Sequence, residues 1–297
     1  MNFLIVGNSV VDKIREKNKT IIKPGGIYYS AASLITQIKP SDKLFLLSAI
    51  DKKNKHLFDD IYSRVEQKYL NIVDSIPEVE LTINTENERK EIYSHLGSNL
   101  NLHLDNPNQF SGILINMITG FDISLQQLKE IRKNYHGLIY FDVHTLSRGV
   151  DEKLRRTCRR IENFNQWAEC IDILQVNESE LQTLSDENDE TKIIEEIFGY
   201  NVQQILITRA EKGASVYFRE KNAIKKYDVN ALRVEVINKV GCGDVFGAVY
   251  FYNYIQNKNI LSALEKANLF AGVSTTYSQI NEFRNLNKDA AKQSGKE

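Results

Sequence analysis

The sequence predicts an α/β fold on a mainly parallel sheet, with a small β-strand lid. Short apolar runs recur along the chain, each followed by a stretch of helical spacing, as βαβ units require. Two polar stretches rich in β-branched residues interrupt that alternation and read as hairpins outside the main sheet. Neither a sequence repeat nor an interdomain linker is visible, so residues 1–297 read as one domain.

NFLIVG is a buried first strand ending at Gly7. GGIYYSAASLITQI opens with small residues and continues with helical spacing, LFLLSAI is a second buried strand, and KHLFDDIYSRVEQKYL has helical spacing again. The interruptions are NSVVDKIREKNKTIIKPGG and EVELTINTENERKEIYSHL, too polar for central parallel strands. They place the lid at about residues 10–24 and 77–96. SGILINMI, SLQQLKEIRKNY and GLIYFDV resume the alternation as strand, helix and strand. DEKLRRTCRRIENF reads as a charged amphipathic helix whose basic run covers a solvated face. CIDILQVN is a strand, ESELQTLS and DETKIIEEIFGY are helices, and QQILITR and ASVYF are strands around an AEKG turn. DVFGAVYFYNYIQN and ILSALEKANLFAGVSTTYSQ form a closing helix pair, and NLNKDAAKQSGKE reads as a mobile or surface-bound tail.

Composition excludes several function classes. Lys and Arg total 38 against 39 Asp and Glu, a formal net charge of -1 that gives no support to a nucleic-acid partner. Hydrophobic residues are 42% of the chain and prolines only 4, which argues against disorder. Cys158, Cys170 and Cys242 are widely spaced and make neither a disulfide framework nor a Cys-x-x-Cys site. The apolar N-terminal run lacks the basic leader and cleavage region of a secretory signal, and no stretch is long and apolar enough to span a bilayer. A soluble cytoplasmic protein with no membrane partner is expected.

The stretch NKVGCGDVFGAVYFYNYI puts Gly241, Cys242, Gly243 and Asp244 at a helix entrance. First-turn amides of a helix lack internal partners and can face an oxyanion, and glycine lets that anion come close. Asp244 would sit where its carboxylate can take a proton from an attacking alcohol. The same residues also suit a tight turn with Asp244 as a helix cap. There is no Walker loop and no early dinucleotide fingerprint, so an NAD-dependent oxidoreductase lacks its glycine signature.

From NFLIVGNSVVD to ALEKANLFAG, most of its length, the chain resembles the ribokinase-like carbohydrate kinases, also called the phosphofructokinase B family. NKVGCGD matches the late family motif DTxGAGD. The resemblance implies a three-layer αβα domain with Asp244 as general base and Gly241, Cys242 and Gly243 as an anion hole. Asn238 and Lys239 replace the usual Asp and Thr. The first replacement leaves the monovalent-cation requirement of some members open here. Cys242 replaces Ala and reads as a buried packing thiol, since no activating His is paired with it.

Asp12, after the first strand, suits hydrogen bonds from polyol hydroxyls, and Gly25 and Gly26 would let backbone amides approach a sugar. A solvated loop acid and a plain hairpin turn are the alternatives. The resemblance assigns this region to acceptor binding, matches Asp12 to the early substrate Asp, and aligns Ser30 with the family's Asn. Tyr28 and Tyr29 suit ring stacking or core packing. Arg89, in the expected lid, could reach a phosphate or carboxylate on the acceptor or face solvent.

Asn177 and Glu180 lie three residues apart at a strand-to-helix transition, spacing that fits a capping pair and resembles the family's NxxE. In that role Glu180 organises waters around Mg²⁺. Thr208 and Gly213 match the nucleotide-contact pattern TxGxxG, with Ala210 at its first glycine. Lys212 faces phosphate or water, and Asn268 aligns with a helix residue near adenine. Asp142, His144 and Arg148 partly fit a pocket wall, and the dispersed histidines suggest no zinc site. The resemblance thus implies an ATP- and Mg²⁺-dependent kinase acting on a sugar, nucleoside or related polyol, with a homodimer among its possibilities. The motif departures leave a second reading, a nucleotide- or sugar-binding regulator that kept the fold and lost efficient chemistry.

Overall fold

In the computed structural model, which describes residues 1–16, 19–82, 90–221 and 223–295, the alternation becomes two sheets, a short ribbon and a set of helices. In chain order the first part contains β1 (Asn2–Val6), β2 (Ser9–Glu16), β3 (Lys19–Gly26), α1 (Tyr28–Ile35), β4 (Lys43–Asp51), α2 (Asp59–Tyr62), β5 (Leu70–Val73), β6 (Glu78–Thr82) and β7 (Lys90–His95). The middle contains β8 (Gly112–Asn116), α3 (Leu125–Asn134), β9 (Leu138–Asp142), β10 (Arg148–Val150), β11 (Arg156–Cys158), α4 (Phe164–Ala168) and β12 (Ile173–Asn177). The last part contains α5 (Glu178–Leu181), α6 (Glu190–Phe198), β13 (Gln204–Thr208), β14 (Ala214–Glu220), β15 (Ala223–Val229), α7 (Cys242–Asn257), α8 (Ile260–Ser274) and α9 (Leu286–Gln293).

The large sheet runs β15-β14-β13-β12-β9-β8-β1-β4-β5, parallel from β13 to β5 and antiparallel at the β13–β14–β15 edge. Its central strands are buried on both faces: Phe3, Leu4, Ile5 and Val6 have no exposed surface. Helices cover both sides, which gives the three-layer α/β fold. α7 is apolar around most of its circumference, packs against α1 and α8, and is correspondingly buried from Val245 to Asn253. β1 pairs with β4 on one side and β8 on the other, so strand order reverses there. In open α/β sheets the crevice at the carboxyl ends beside such a reversal is the usual ligand position.

The second sheet runs β3-β2-β6-β7. Side chains alternate across it: Val10, Asp12, Val79, Leu81 and Tyr93 turn inward and are buried, while Lys13–Glu78 and Arg15–Glu80 pair on the other face.

Several segments depart from the pattern expected of them. KHLFDDIYSRVEQKYL holds only a 3₁₀ turn at Lys55–Leu57 and the one-turn α2, after which the chain pairs beside β4 as β5. DEKLRRTCRRIENF is not a helix. Asp151 Oδ1 accepts the Lys153 and Arg155 N–H groups, both at 2.9 Å, and Leu154 takes a left-handed φ of 57°, so the chain turns back and β11 pairs with β10. The tail is a docked helix, α9, whose Leu286 and Ala290 are buried. β15, which the sequence did not suggest, is an exposed edge strand held by backbone pairing to β14.

Candidate active site

The carboxyl ends of β8, β9, β12 and β13 deliver Asn116, Asp142, Asn177 and Thr208 to one edge of the sheet, with Asn116 beside Asp142 in register and Asn177 beside Thr208 two residues further along. The N-terminus of α7 faces the same place. Between these ends and the inner face of the second sheet lies a cleft of about 2390 Å³. Its lining includes Asp12, Gly26, Asn177, Glu180, Thr208, Gly213, Gly241, Cys242, Gly243, Asp244 and Asn268. Asp12 and Gly26 from the acceptor set therefore border one continuous space with the residues picked out for the anion hole and the nucleotide.

Asp244 sits in the first turn of α7 with 7% of its surface exposed. Asn116 Nδ2 donates to its Oδ1 at 2.6 Å, which fixes the carboxylate plane. Gly241 caps the helix at φ 81°, and a Cβ there would lie 2.3 Å from Cγ of Tyr29. Both the backbone and the close ring approach require glycine. Around Gly243 the space is more open, the nearest atom to a built Cβ being Gln175 Nε2 at 3.9 Å. Burial pushes the Cys242 thiol up, and the Asp244 charge adds to the effect, as suits a packing group rather than a nucleophile.

Gln175 ties the site together. Its amide nitrogen donates to Asp142 Oδ2 at 3.2 Å and to the Gly243 carbonyl at 3.1 Å, and its Oε1 accepts from the Tyr140 hydroxyl at 2.5 Å. A Cβ on Gly247 would come within 2.5 Å of Gln175 Oε1, so that glycine admits the bridge. Burial pushes Asp142 well above the usual carboxylate range, reinforced by the Glu180 and Asp244 charges.

Asn177 and Glu180 form a reciprocal capping box: Asn177 Oδ1 accepts from Glu180 N at 2.8 Å, and Glu180 Oε2 from Asn177 N at 2.9 Å. Burial raises Glu180 to about 7, opposed by the Asn177 bonds and the nearby Arg148 charge. The structural cap and a cleft-facing role thus coexist in one side chain.

At the acceptor end, Asp12 is 5% exposed and lies under Gly25, where a Cβ would meet its Oδ2 at 2.5 Å. Gly26 adopts φ 65° at the entry to α1. Ser30 does not face the cleft. It is fully buried and its hydroxyl donates to the Asp244 carbonyl at 3.4 Å, because α1 is enclosed on every side. Ser30 therefore supports α7 from beneath. Arg89 lies outside the described residues. At the other end, Asn268 Nδ2 donates to the Asn230 carbonyl at 2.8 Å and fixes the strand exit beside Gly213.

Sequence reading missed Asn116, Gln175 and Asp122. Asp122 is fully buried and accepts from Asn8 N, Asn8 Nδ2 and Thr119 N, each at 2.8 Å, locking the loop after β1 to the loop after β8. Among the described residues no helix is long and apolar enough to cross a membrane. Among the same residues no three His, Cys, Asp or Glu side chains could hold a metal ion by themselves.

Residues 150–285 match the family model described as pfkB family carbohydrate kinase. A deoxyribokinase from Salmonella typhi is 26% identical over 181 residues, covering 56% of this chain and 56% of that relative. The matched region thus spans about half the length of that curated relative. Among solved structures, a ribokinase from Thermotoga maritima superposes with TM-score 0.75 at 16% identity, covering 98% of this chain and 99% of that one. Arabidopsis thaliana ribokinase complexed with ribose and ATP gives 0.74 at 16% identity, covering 98% and 97%. Aminoimidazole riboside kinase from Salmonella enterica gives 0.74 at 14% identity, covering 99% of each chain.

Proposed function

We propose, from the match of residues 150–285 to the pfkB carbohydrate kinase family and from the ribokinase-like fold, that the chain transfers the γ-phosphoryl group of ATP to a hydroxyl of a sugar, nucleoside or related polyol. The observation that carries this reading is Asp244, held by Asn116 at the mouth of a glycine-capped helix and bordering a cleft with Asp12 at its far side.

In this reading the acceptor lies between the second sheet and α7, with its hydroxyls donating to Asp12. Asp244 draws off the proton of the attacking hydroxyl, and the first-turn amides of α7 stabilise the charge on the transferred group. Gln175 holds the Gly243 carbonyl and so fixes those amides. The nucleotide lies along Thr208, Gly213 and Asn268. Positioning and electrostatics supply most of the acceleration in phosphoryl transfer, and closure by the second sheet limits loss to water.

The residues present fit Mg²⁺. Glu180 and Asp244 lie close enough to Asp142 for their charges to act on it, and a hard divalent ion prefers such oxygen donors. Glu180 would hold it through water, with phosphate oxygens completing the shell, and the ion would supply neutralisation of the phosphate charge. Small-molecule binding and an oligomer closed through the second sheet belong to the same reading.

The test is an acceptor panel of pentoses, hexoses, nucleosides and polyols with ATP and Mg²⁺, read as acceptor-dependent ADP release. Binding of nucleotide or sugar with no such release across the panel would favour a regulatory protein on this fold.

A further inference from the structure

We infer that the acceptor is an uncharged polyol, and that Glu91 rejects anionic acceptors by occupying Arg156. The inference rests on the kinase reading above and narrows its substrate class. On the second sheet, Asp12, Val79 and Tyr93 stand side by side in register on the inner face, and Glu91 precedes Tyr93 by two residues on that face. Opposite them the β10–β11 ribbon presents Arg155 and Arg156 to the cleft.

Arg156 is held from several sides. Its Nε lies 2.6 Å from Glu91 Oε2, and both side chains are nearly buried, at 9% and 12% exposure. Its guanidinium stacks 4.7 Å from the Tyr93 ring centre, contacts the Tyr93 hydroxyl, and donates to the Ile118 carbonyl at 3.2 Å. The backbone repeats the contact, since Tyr93 N donates to the Leu154 carbonyl at 3.0 Å. Arg155 is paired as well, with Asp151 at 2.7 Å. Of the three arginines that this ribbon brings to the cleft, Arg155 and Arg156 already pair with a carboxylate, and Arg148 lies where its charge acts on Glu180.

An acceptor carboxylate or phosphate at Arg156 would have to displace Glu91 or lie against it. Displacement leaves a buried carboxylate without its cation, and juxtaposition sets like charges together. A hydroxyl meets neither penalty: it donates to Glu91 or Asp12 and accepts from the guanidinium. The pair therefore reads hydroxyls and repels anions.

The test is calorimetric titration of the full chain, with Mg²⁺ and a non-hydrolysable ATP analogue, using matched pairs: ribose with ribose 5-phosphate, and glucose with gluconate. At least one neutral member is expected to bind about 10-fold tighter than its anionic partner, and Glu91→Gln to shrink that ratio by about 10-fold. Equal or tighter binding of the anionic member in each pair, an unchanged ratio in Glu91→Gln, or no binding of any neutral member overturns the inference. The wild-type comparison stands even if Glu91→Gln does not fold. Neutral binding without acceptor-dependent ADP release when ATP replaces the analogue would instead defeat the kinase reading and leave the charge preference intact.

Discussion

The ring of Tyr29 lies directly on Gly241, so close that a methyl group on the glycine would sit 2.3 Å from Cγ. This contact joins α1, which follows the Gly25–Gly26 segment proposed to bind the acceptor, to the helix N-terminus proposed to hold the transferred group. Phe283 also packs against Tyr29, with ring centres 5.6 Å apart, and restrains its movement. Gly241→Ala must therefore both clash and force alanine into a left-handed conformation. A loss of about 1–3 kcal/mol in denaturant unfolding is expected, together with loss of phosphoryl transfer. Unchanged stability would show that the approach is looser than described.

Asp244→Asn keeps the size of the side chain and removes the proposed base. Turnover of the acceptor should fall by about 10²-fold or more, with the melting temperature nearly unchanged. Asn116 fixes one oxygen of the carboxylate, so Asn116→Ala should also lower kcat, with a smaller effect on the KM for the acceptor. Near-normal turnover in a folded Asp244→Asn protein would remove the base assignment.

Gln175→Leu leaves the Tyr140 hydroxyl and the Gly243 carbonyl without their buried partner. An unsatisfied buried polar group costs about 1–3 kcal/mol, so the variant should unfold at clearly lower denaturant concentration. Because Gly243 belongs to the turn proposed to bind the anion, kcat should fall further than stability alone explains, measured at a temperature where the variant is fully folded.

The main sheet and the glycine turn were legible because both are local. Continuous apolar runs such as FLIV can only be buried strands, and a GCGD sequence before an apolar helix can hardly be anything but a helix entrance. Asn116 and Gln175 were hidden for the opposite reason: each is a polar residue set among apolar strand neighbours, and a partner of each comes from α7, over sixty positions away in sequence. Arg156 was misread with its neighbours as part of a basic helical face, because the carboxylate and ring that bury it lie on β7. Ser30 was placed by motif alignment alone, which says nothing of the direction in which a fully enclosed helix turns its hydroxyl.

Ala210 stands where the family pattern has glycine, yet keeps a left-handed φ of 48°. Such a conformation strains an L-residue by about 1–2 kcal/mol, and glycine would relieve it while adding freedom to the unfolded chain. Ala210→Gly should stabilise the protein by about 0.5–1 kcal/mol in urea unfolding. A destabilised variant would show that the turn is not strained.

Glu180 carries a pH signature. Burial lifts its folded-state value from 4.5 to about 7, so between these values the folded chain holds a proton that the unfolded chain has released. Stability therefore falls as pH rises through that window, by an amount on the order of 1–3 kcal/mol. Glu180→Gln keeps an oxygen for the Asn177 N–H but cannot ionise. Relative to wild type it should gain stability between pH 5 and pH 8, read from melting temperatures across the range. Asp142, raised by the same burial, acts in the same direction and remains in both proteins. Mg²⁺ with ATP should favour the ionised carboxylate and so raise the wild-type melting temperature more at pH 8 than at pH 6, a difference that Glu180→Gln should diminish. If wild type instead gains on Glu180→Gln as pH rises without metal, burial does not govern this carboxylate.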